Sequence, residues 1–351
     1  MLGQHRWMIG VATSTSILGL TVTSGLVMLA NRLVDEFSHP HDVQNPEQFD
    51  LGLPRTEPEP PRMYQRPLTF RTSDGTLLCG DFWAQPRPAP TIVMCHGYRA
   101  SRAQLRHGAA IEYKSGYNVL LFDFRGHGDS DSVITSGGNA EVRDLEAAIA
   151  AARMQPETLP NRIIIHGFSM GAATALLTPP QREVAAIIAD SPFARSDDVL
   201  RRLMRHRLTS SSKSWGPLLH RLRLRILFPA AAWITVAMTI LVFRLRFGHT
   251  YVARPDTSFK RWMKQAKKVQ EPHSIPILLI HALGDELIPF AHAQQLVAKA
   301  QAHGVAIETY FVDHPSHCGA YMHDPEQYTA VIQDFLFRHL KGDFPSNKRA
   351  K

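Results

Sequence analysis

Ser169 sits at the centre of Gly167-Phe168-Ser169-Met170-Gly171, a G-x-S-x-G pentapeptide. Arg162–His166 before it reads as a buried strand, and Ala172-Ala173-Thr174-Ala175-Leu176 after it reads as a helix. Strand, sharp turn and helix in this order hold a hydroxyl above a sheet edge, at a helix N-terminus whose amides favour developing negative charge. Gly167 and Gly171 fall where side chains would collide in such a turn. A hydroxyl alone is a weak nucleophile, so this reading needs a base and an orienting acid elsewhere in the chain.

Two later loops offer them. Ile277–Ile280 reads as a strand and leads into Gly284-Asp285. Asp285 is the first candidate for the acid, with Glu286 and Asp190 as competitors. Val305–Val312 reads as the last strand and leads into Asp313-His314-Pro315-Ser316-His317-Cys318-Gly319. His317 is preferred as the base, because small residues follow it and its ring can lean over the sheet. His314 is the alternative, held extended by Pro315. The chain order serine, acid, histidine is that of a nucleophile-elbow hydrolase. An acyl-transfer site also needs two backbone N–H donors for the oxyanion. Met170, next after the serine, is one expected donor. Tyr98, in the loop Cys95-His96-Gly97-Tyr98-Arg99, is the other, with His96 bracing that loop.

These residues need a scaffold, and the apolar pattern predicts one. Leu68–Thr72 and Leu77–Trp83 flank Asp74-Gly75, a hairpin signal. Thr91–Cys95, Val119–Phe122 and Ala185–Ala189 are further short apolar runs, and helical stretches lie near 101–113, 139–153, 170–177, 290–302 and 325–340. A hairpin followed by alternating strand and helix predicts an α/β fold with a mostly parallel sheet covered on both faces. At 351 residues and 44% hydrophobic, the chain can fill such a core and is no disordered chain. Its net charge is +8, but no nucleic-acid motif accompanies it. Cys79, Cys95 and Cys318 have neither metal-ligand nor disulfide spacing. No metal or organic cofactor is implied.

With the motifs assembled, the chain resembles the α/β-hydrolase superfamily over most of residues 66–340. His96-Gly97-Tyr98, Phe122-Asp123-Phe124-Arg125-Gly126-His127-Gly128-Asp129-Ser130, Gly167–Gly171, Gly284-Asp285 and His317 occur in that family's order. The resemblance implies catalytic roles for Ser169, Asp285 and His317, and structural roles for Asp123 and Arg125. Ala189-Asp190-Ser191-Pro192-Phe193-Ala194 and the membrane-tethered layout are similar to the branch of Bem46-like proteins and ABHD-type depalmitoylases. That branch implies ester or thioester hydrolysis, with some members classed as serine peptidases.

The remaining segments set the domain plan. No charged residue occurs from Trp7 to Ala30, a run long enough to span a bilayer. Residues 1–34 are therefore expected to form an N-terminal membrane anchor, with a signal peptide as the competing reading disfavoured by the bulky Met28-Leu29 before Ala30, and 35–65 a Pro-rich linker. The hydrolase domain is expected at 66–198 and 271–342, with a basic tail at 343–351. Residues 199–270 are an expected helical cap insertion. Within it, Ile226–Phe243 is uncharged and flanked by Arg221, Arg223, Arg225, Arg244 and Arg246. A single crossing there would put the strands before and after it on opposite sides of the membrane, so a cap helix or helical hairpin near the membrane surface is expected instead, with a cap packed only on the hydrolase core as the alternative. The function that follows is a membrane-anchored serine hydrolase of carboxylic esters or thioesters, with an acyl-bearing small molecule or lipid as substrate. A serine peptidase, an acyltransferase and a non-catalytic binding protein are the alternatives.

Overall fold

Along each central strand both alternating sets of side chains are apolar. Val93, Cys95, Leu120, Phe122, Ile163 and Ile165 enter one buried cluster, while Ile92, Met94, Val119, Leu121 and Ile164 enter another. A strand buried on both faces belongs inside a parallel sheet with helices on either side. The computed structural model, which describes residues 24–40, 59–210, 227–269 and 275–340, has that architecture. The chain divides into two compact units, one of Ser38–Val199 with Val252–Lys351 and the other of Met1–Phe37 with Leu200–Tyr251.

The larger unit holds one eight-stranded sheet. Its strands are β1 (Gln65–Arg71), β2 (Leu77–Trp83), β3 (Ala89–Cys95), β4 (Asn118–Phe122), β5 (Thr158–Phe168), β6 (Val184–Asp190), β7 (Ile277–Ala282) and β8 (Ile307–Val312). Their spatial order is β1-β2-β4-β3-β5-β6-β7-β8. β1 and β2 form the hairpin turned at Gly75 (φ +88°), β2 pairs antiparallel with β4, and every later pairing is parallel. The described helices, in chain order, are α1 (24–38), α2 (Arg102–Lys114), α3 (Glu141–Arg153), α4 (Met170–Leu177), α5 (Ser196–Ser210), α6 (Phe228–Phe247), α7 (Ser258–Val269), α8 (Ala291–Ala302), the single turn α9 (Ala320–His323) and α10 (Pro325–Leu340). Of these, α7 falls with the larger unit, where its Phe259 and Trp262 are buried in the core. Leu200–Tyr251 falls in the smaller unit.

The second unit contains α6, most of α5, and α1 up to Phe37. Pro229 lies in the first turn of α6, and Gly248, left-handed at φ +74°, ends it. Most of the charge-free run from Trp7 lies outside the described residues, whose helix α1 begins at 24.

One charged cluster ties the hairpin to the central sheet. Arg125 donates to Asp144 Oδ1 from Nη2 at 2.7 Å and from Nε at 2.9 Å, and reaches Asp74 in the β1–β2 turn at 2.9 Å. Burial raises the Asp144 pKa to about 6 although Arg125 opposes the rise. Removing the guanidinium would strand a buried carboxyl, which typically costs about 3–5 kcal/mol. Arg125→Met is therefore expected to lower unfolding stability by about that amount, read as a drop in the urea midpoint.

Candidate active site

β5, β6, β7 and β8 are neighbouring parallel strands, so the loops after them emerge along one edge of the sheet. Ser169, Asp285 and His317 come after β5, β7 and β8, and Asp190 is the last residue of β6. The sheet topology thus gathers residues separated by almost 150 positions in sequence.

Ser169 joins β5 to α4 with φ +52° and ψ −111°. This is a region that residues with a side chain rarely occupy, at a cost of about 1–3 kcal/mol. The surroundings make it unavoidable. A Cβ on Gly167 would lie 2.6 Å from the Ala172 nitrogen, and one on Gly171 would lie 2.3 Å from the Cys95 carbonyl oxygen. The turn is pinned further because Ser169 N–H donates to Asp190 O at 2.9 Å. Met170 opens α4, where the first amides have no acceptor within the helix.

The loop after β3 runs beside this turn. A Cβ on Gly97 would come within 3.4 Å of the Ser169 Cβ. The expected oxyanion donor Tyr98 is the next residue. Two histidines fix the loop. His96 Nε2 accepts from Phe124 N–H at 3.0 Å, so its Nδ1 carries the proton and donates to Gly97 O at 2.7 Å. Burial lowers its pKa to about 4, which keeps it neutral. His127 acts alike, accepting from Arg99 N–H at 3.2 Å and donating to Arg125 O at 2.8 Å. Asp123 accepts from the backbone N–H of Arg102 at 2.7 Å and of Asp129 at 3.0 Å. The FDFRGHGDS segment is therefore the brace of the loop that carries Tyr98.

His317 Nδ1 donates to Asp285 Oδ2 at 2.7 Å. Asp285 Oδ1 accepts from the backbone of Leu287 at 2.9 Å and of Ile288 at 2.8 Å, so the carboxylate is held at both oxygens. With Nδ1 protonated, neutral His317 offers a lone pair at Nε2, a buried atom with no hydrogen-bond partner among the described residues. Burial opposes charge on His317, but the adjoining Cys318 and Asp285 outweigh it and hold its pKa well above 6.5. The competing residues are otherwise placed. His314 Nδ1 accepts from Ser316 N–H at 3.2 Å and its carbonyl accepts from Gly284 N–H at 3.1 Å. It locks the two loops together.

Asp190 has a role that sequence reasoning left undefined. Its carboxyl bonds Ser191 Oγ at 2.9 Å and Tyr328 OH at 3.0 Å. Tyr328 lies 3.2 Å from His166 Nε2, and His166 Nδ1 lies 3.3 Å from Glu112. Burial raises the Asp190 pKa, while its hydrogen bonds and the nearby His166 and His317 lower it. Asp190 thus connects the Ser169 turn, through its carbonyl, with the field around His317. Glu112 on α2 and Tyr328 on α10 carry no motif that would mark them in the sequence.

An eight-stranded, mostly parallel sheet with a serine elbow defines an enzyme of the α/β-hydrolase class. Residues 86–312 match the serine aminopeptidase (S33) family, and the chain belongs to it. It is 28% identical over 256 residues to the uncharacterised Bacillus subtilis protein YqkD, covering 72% of each chain. It is 30% identical over 131 residues to the thiohydrolase apmlB of Arthrinium phaeospermum, covering 36% of this chain and 43% of that one. Among solved structures it is similar to the Pyrococcus furiosus esterase Pf2001, with TM-score 0.59 and 22% identity over 82% of this chain and 97% of that one.

NMR titration of the ring protons should place the His317 midpoint above the ordinary 6.5, with neutral imidazole prevailing only above that midpoint. In Asp285→Asn the midpoint should fall, because a carboxylate that favours the imidazolium is gone. An unchanged midpoint would separate Asp285 from His317.

Proposed function

We propose that this chain is a membrane-anchored serine hydrolase that cleaves carboxylic esters or thioesters. Ser169 is the nucleophile, His317 the general base and Asp285 the residue that orients it. The observation that carries this reading is the Asp285–His317 bond, with the opposite ring nitrogen buried and without a hydrogen-bond partner among the described residues, beside a loop edge that also holds the Ser169 elbow.

In this mechanism Ser169 Oγ attacks the acyl carbon and His317 Nε2 takes its proton. The oxyanion is received by the amides of Met170 and Tyr98. His317 then returns the proton to the departing alcohol or thiol as the carbon–oxygen or carbon–sulfur bond breaks. Water, deprotonated by the same nitrogen, attacks the acyl-Ser169 ester and releases the acid. Asp285 favours the imidazolium formed in each half-reaction, consistent with the raised pKa of His317.

Ester or thioester chemistry is favoured by the names of the similar esterase and thiohydrolase. The description of its own family as serine aminopeptidases supports a second reading, cleavage of peptide amides by the same groups. The Asp190-Ser191-Pro192-Phe193 segment supports placement near the Bem46-like and ABHD-type branch. Anchoring rests on the charge-free run from Trp7 to Ala30, whose last residues, 24–30, lie in α1. The substrate is accordingly an acyl-bearing small molecule or lipid.

A panel of nitrophenyl esters, acyl thioesters and aminoacyl anilides tests the reaction. Esters or thioesters should turn over fastest, and Ser169→Ala should lose about 10⁵-fold or more in kcat. A Ser169→Ala protein of undiminished activity would refute the mechanism, and faster anilides would favour the peptidase. The kcat/KM profile with the best substrate should fall as the pH drops through the raised His317 pKa, because only the neutral ring accepts the serine proton.

A further inference from the structure

A helix that is apolar on every side is stable only when surrounded by other apolar matter. α6 is such a helix. Its twenty residues carry charge only at Arg244 and Arg246 in the last turn. Yet only 28% of its most apolar stretch is buried. The buried residues form one narrow stripe of Ala232, Thr235, Val236, Thr239 and Phe243. The larger apolar side chains face outward: Trp233 is 58% exposed and Leu245 77%, with Ile234 and Leu241 also exposed. α1 repeats the arrangement, burying Ala30, Leu33, Val34 and Phe37 while exposing Val27, Met28 and Leu29. On α6 the buried stripe is mostly small or hydroxyl-bearing, with Phe243 as the large exception, while large apolar residues face outward, which reverses the order of a water-soluble surface. This pattern matches helices packed in lipid, where small residues permit close approach. The Thr239 hydroxyl is satisfied inside the helix by Thr235 O at 2.8 Å.

The charge of the segment selects the surface. Residues 200–251 contain nine arginines and one lysine and no acidic residue, more than the whole chain's net +8. Basic residues flanking an apolar helix are drawn to anionic headgroups.

The ion pairs then give the path of the chain. Arg207, near the end of α5, bonds Glu36 at 3.1 Å, and Arg246, near the end of α6, bonds Asp35 at 2.6 Å. Tyr251 OH donates to Phe37 O at 3.2 Å. The insertion therefore leaves and returns at the same end of α1. Between these points α6 alone is about 30 Å long, near the thickness of a bilayer's hydrocarbon core. Because the described ends of the insertion meet the same end of α1, contact of α6 with a membrane does not require the strands on either side of the insertion to be separated.

We infer that α6, within the insertion 200–251, is a second membrane attachment, an apolar helix in a basic segment whose exposed face meets an anionic bilayer alongside α1 independently of the segment before residue 24. The occupant of its exposed face is lipid rather than a second copy of the chain, because ten like charges on the segment would oppose self-pairing and are neutralised by anionic lipid.

The test uses the full chain with the first apolar run broken by Ile17→Arg and Val22→Arg. This variant should still sediment with membranes after a high-salt wash. Adding Trp233→Ser, Ile234→Ser, Leu241→Ser and Leu245→Ser should release it into the soluble fraction. Purified, the first variant should bind vesicles of equal phosphatidylcholine and phosphatidylglycerol about tenfold or more better than pure phosphatidylcholine. Brominated lipid should quench the chain's tryptophan fluorescence more than that of Trp233→Phe, a readout that leaves the apolar surface nearly intact. Release by the Ile17 and Val22 changes alone would overturn the second attachment without touching the proposed anchor. Retention of the combined variant would overturn its assignment to α6. A soluble dimer that ignores vesicles would assign the face to a second copy and overturn the inference as well. Retention on membranes of the otherwise unaltered chain bears on anchoring as a whole, and ester turnover bears on the chemistry, so these readings fail separately.

Discussion

The start of α4 lies against the end of β3 with no room for a side chain between them. Gly171 meets the carbonyls of Cys95 and His96, and Gly167 meets the first turn of α4 from the other side. That close approach forces Ser169 into a left-handed conformation and lifts its hydroxyl above the sheet. It also carries the β3 loop, with Gly97 and Tyr98, to the side of the same hydroxyl. The other parts of the site are arranged around a backbone that this contact leaves no freedom to move.

Charge and tautomer are set by a second layer of contacts. His96 and His127 each have one ring nitrogen accepting an amide and the other donating to a carbonyl, so both act as neutral struts. His317 differs in having a carboxylate as its Nδ1 partner. The same side chain thus has a different partner in each place, a peptide carbonyl at His96 and His127 and a carboxylate at His317. Asp190 and Asp285 show the same division. Asp285 is held by amides and a histidine, whereas Asp190 is held by hydroxyls and burial raises its pKa.

The two compact units obey different rules of composition. In the larger unit, buried apolar strands are covered by helices, and the charged cluster of Arg125, Asp144 and Asp74 is satisfied within the protein. In the smaller one several large apolar side chains, Met28, Trp233 and Leu245 among them, point outward and the charge is almost all of one sign. Water suits the first arrangement. The second suits a surface where an apolar interior meets phosphate.

Ser169 and its flanking glycines were legible because the elbow is local: strand, turn and helix are consecutive, and a Cβ clash depends on residues only a few positions away. The strands and most helices were legible for the same reason, since burial on two faces leaves unbroken apolar runs. The order of Asp285 and His317 followed from a strand ending just before each. The choice of His317 over His314 rested on position alone, and geometry added a carboxylate at one ring and a backbone brace at the other. The network joining Asp190 to Tyr328, His166 and Glu112 was beyond reach, because strand order and helix packing bring these residues together across as many as 216 positions. Sequence by itself determined the periodicity, the elbow and the concentration of basic and apolar residues in the insertion. Only tertiary structure decided which polar groups face one another, because hydrogen bonding depends on ångström-scale distances between segments that the chain order leaves apart.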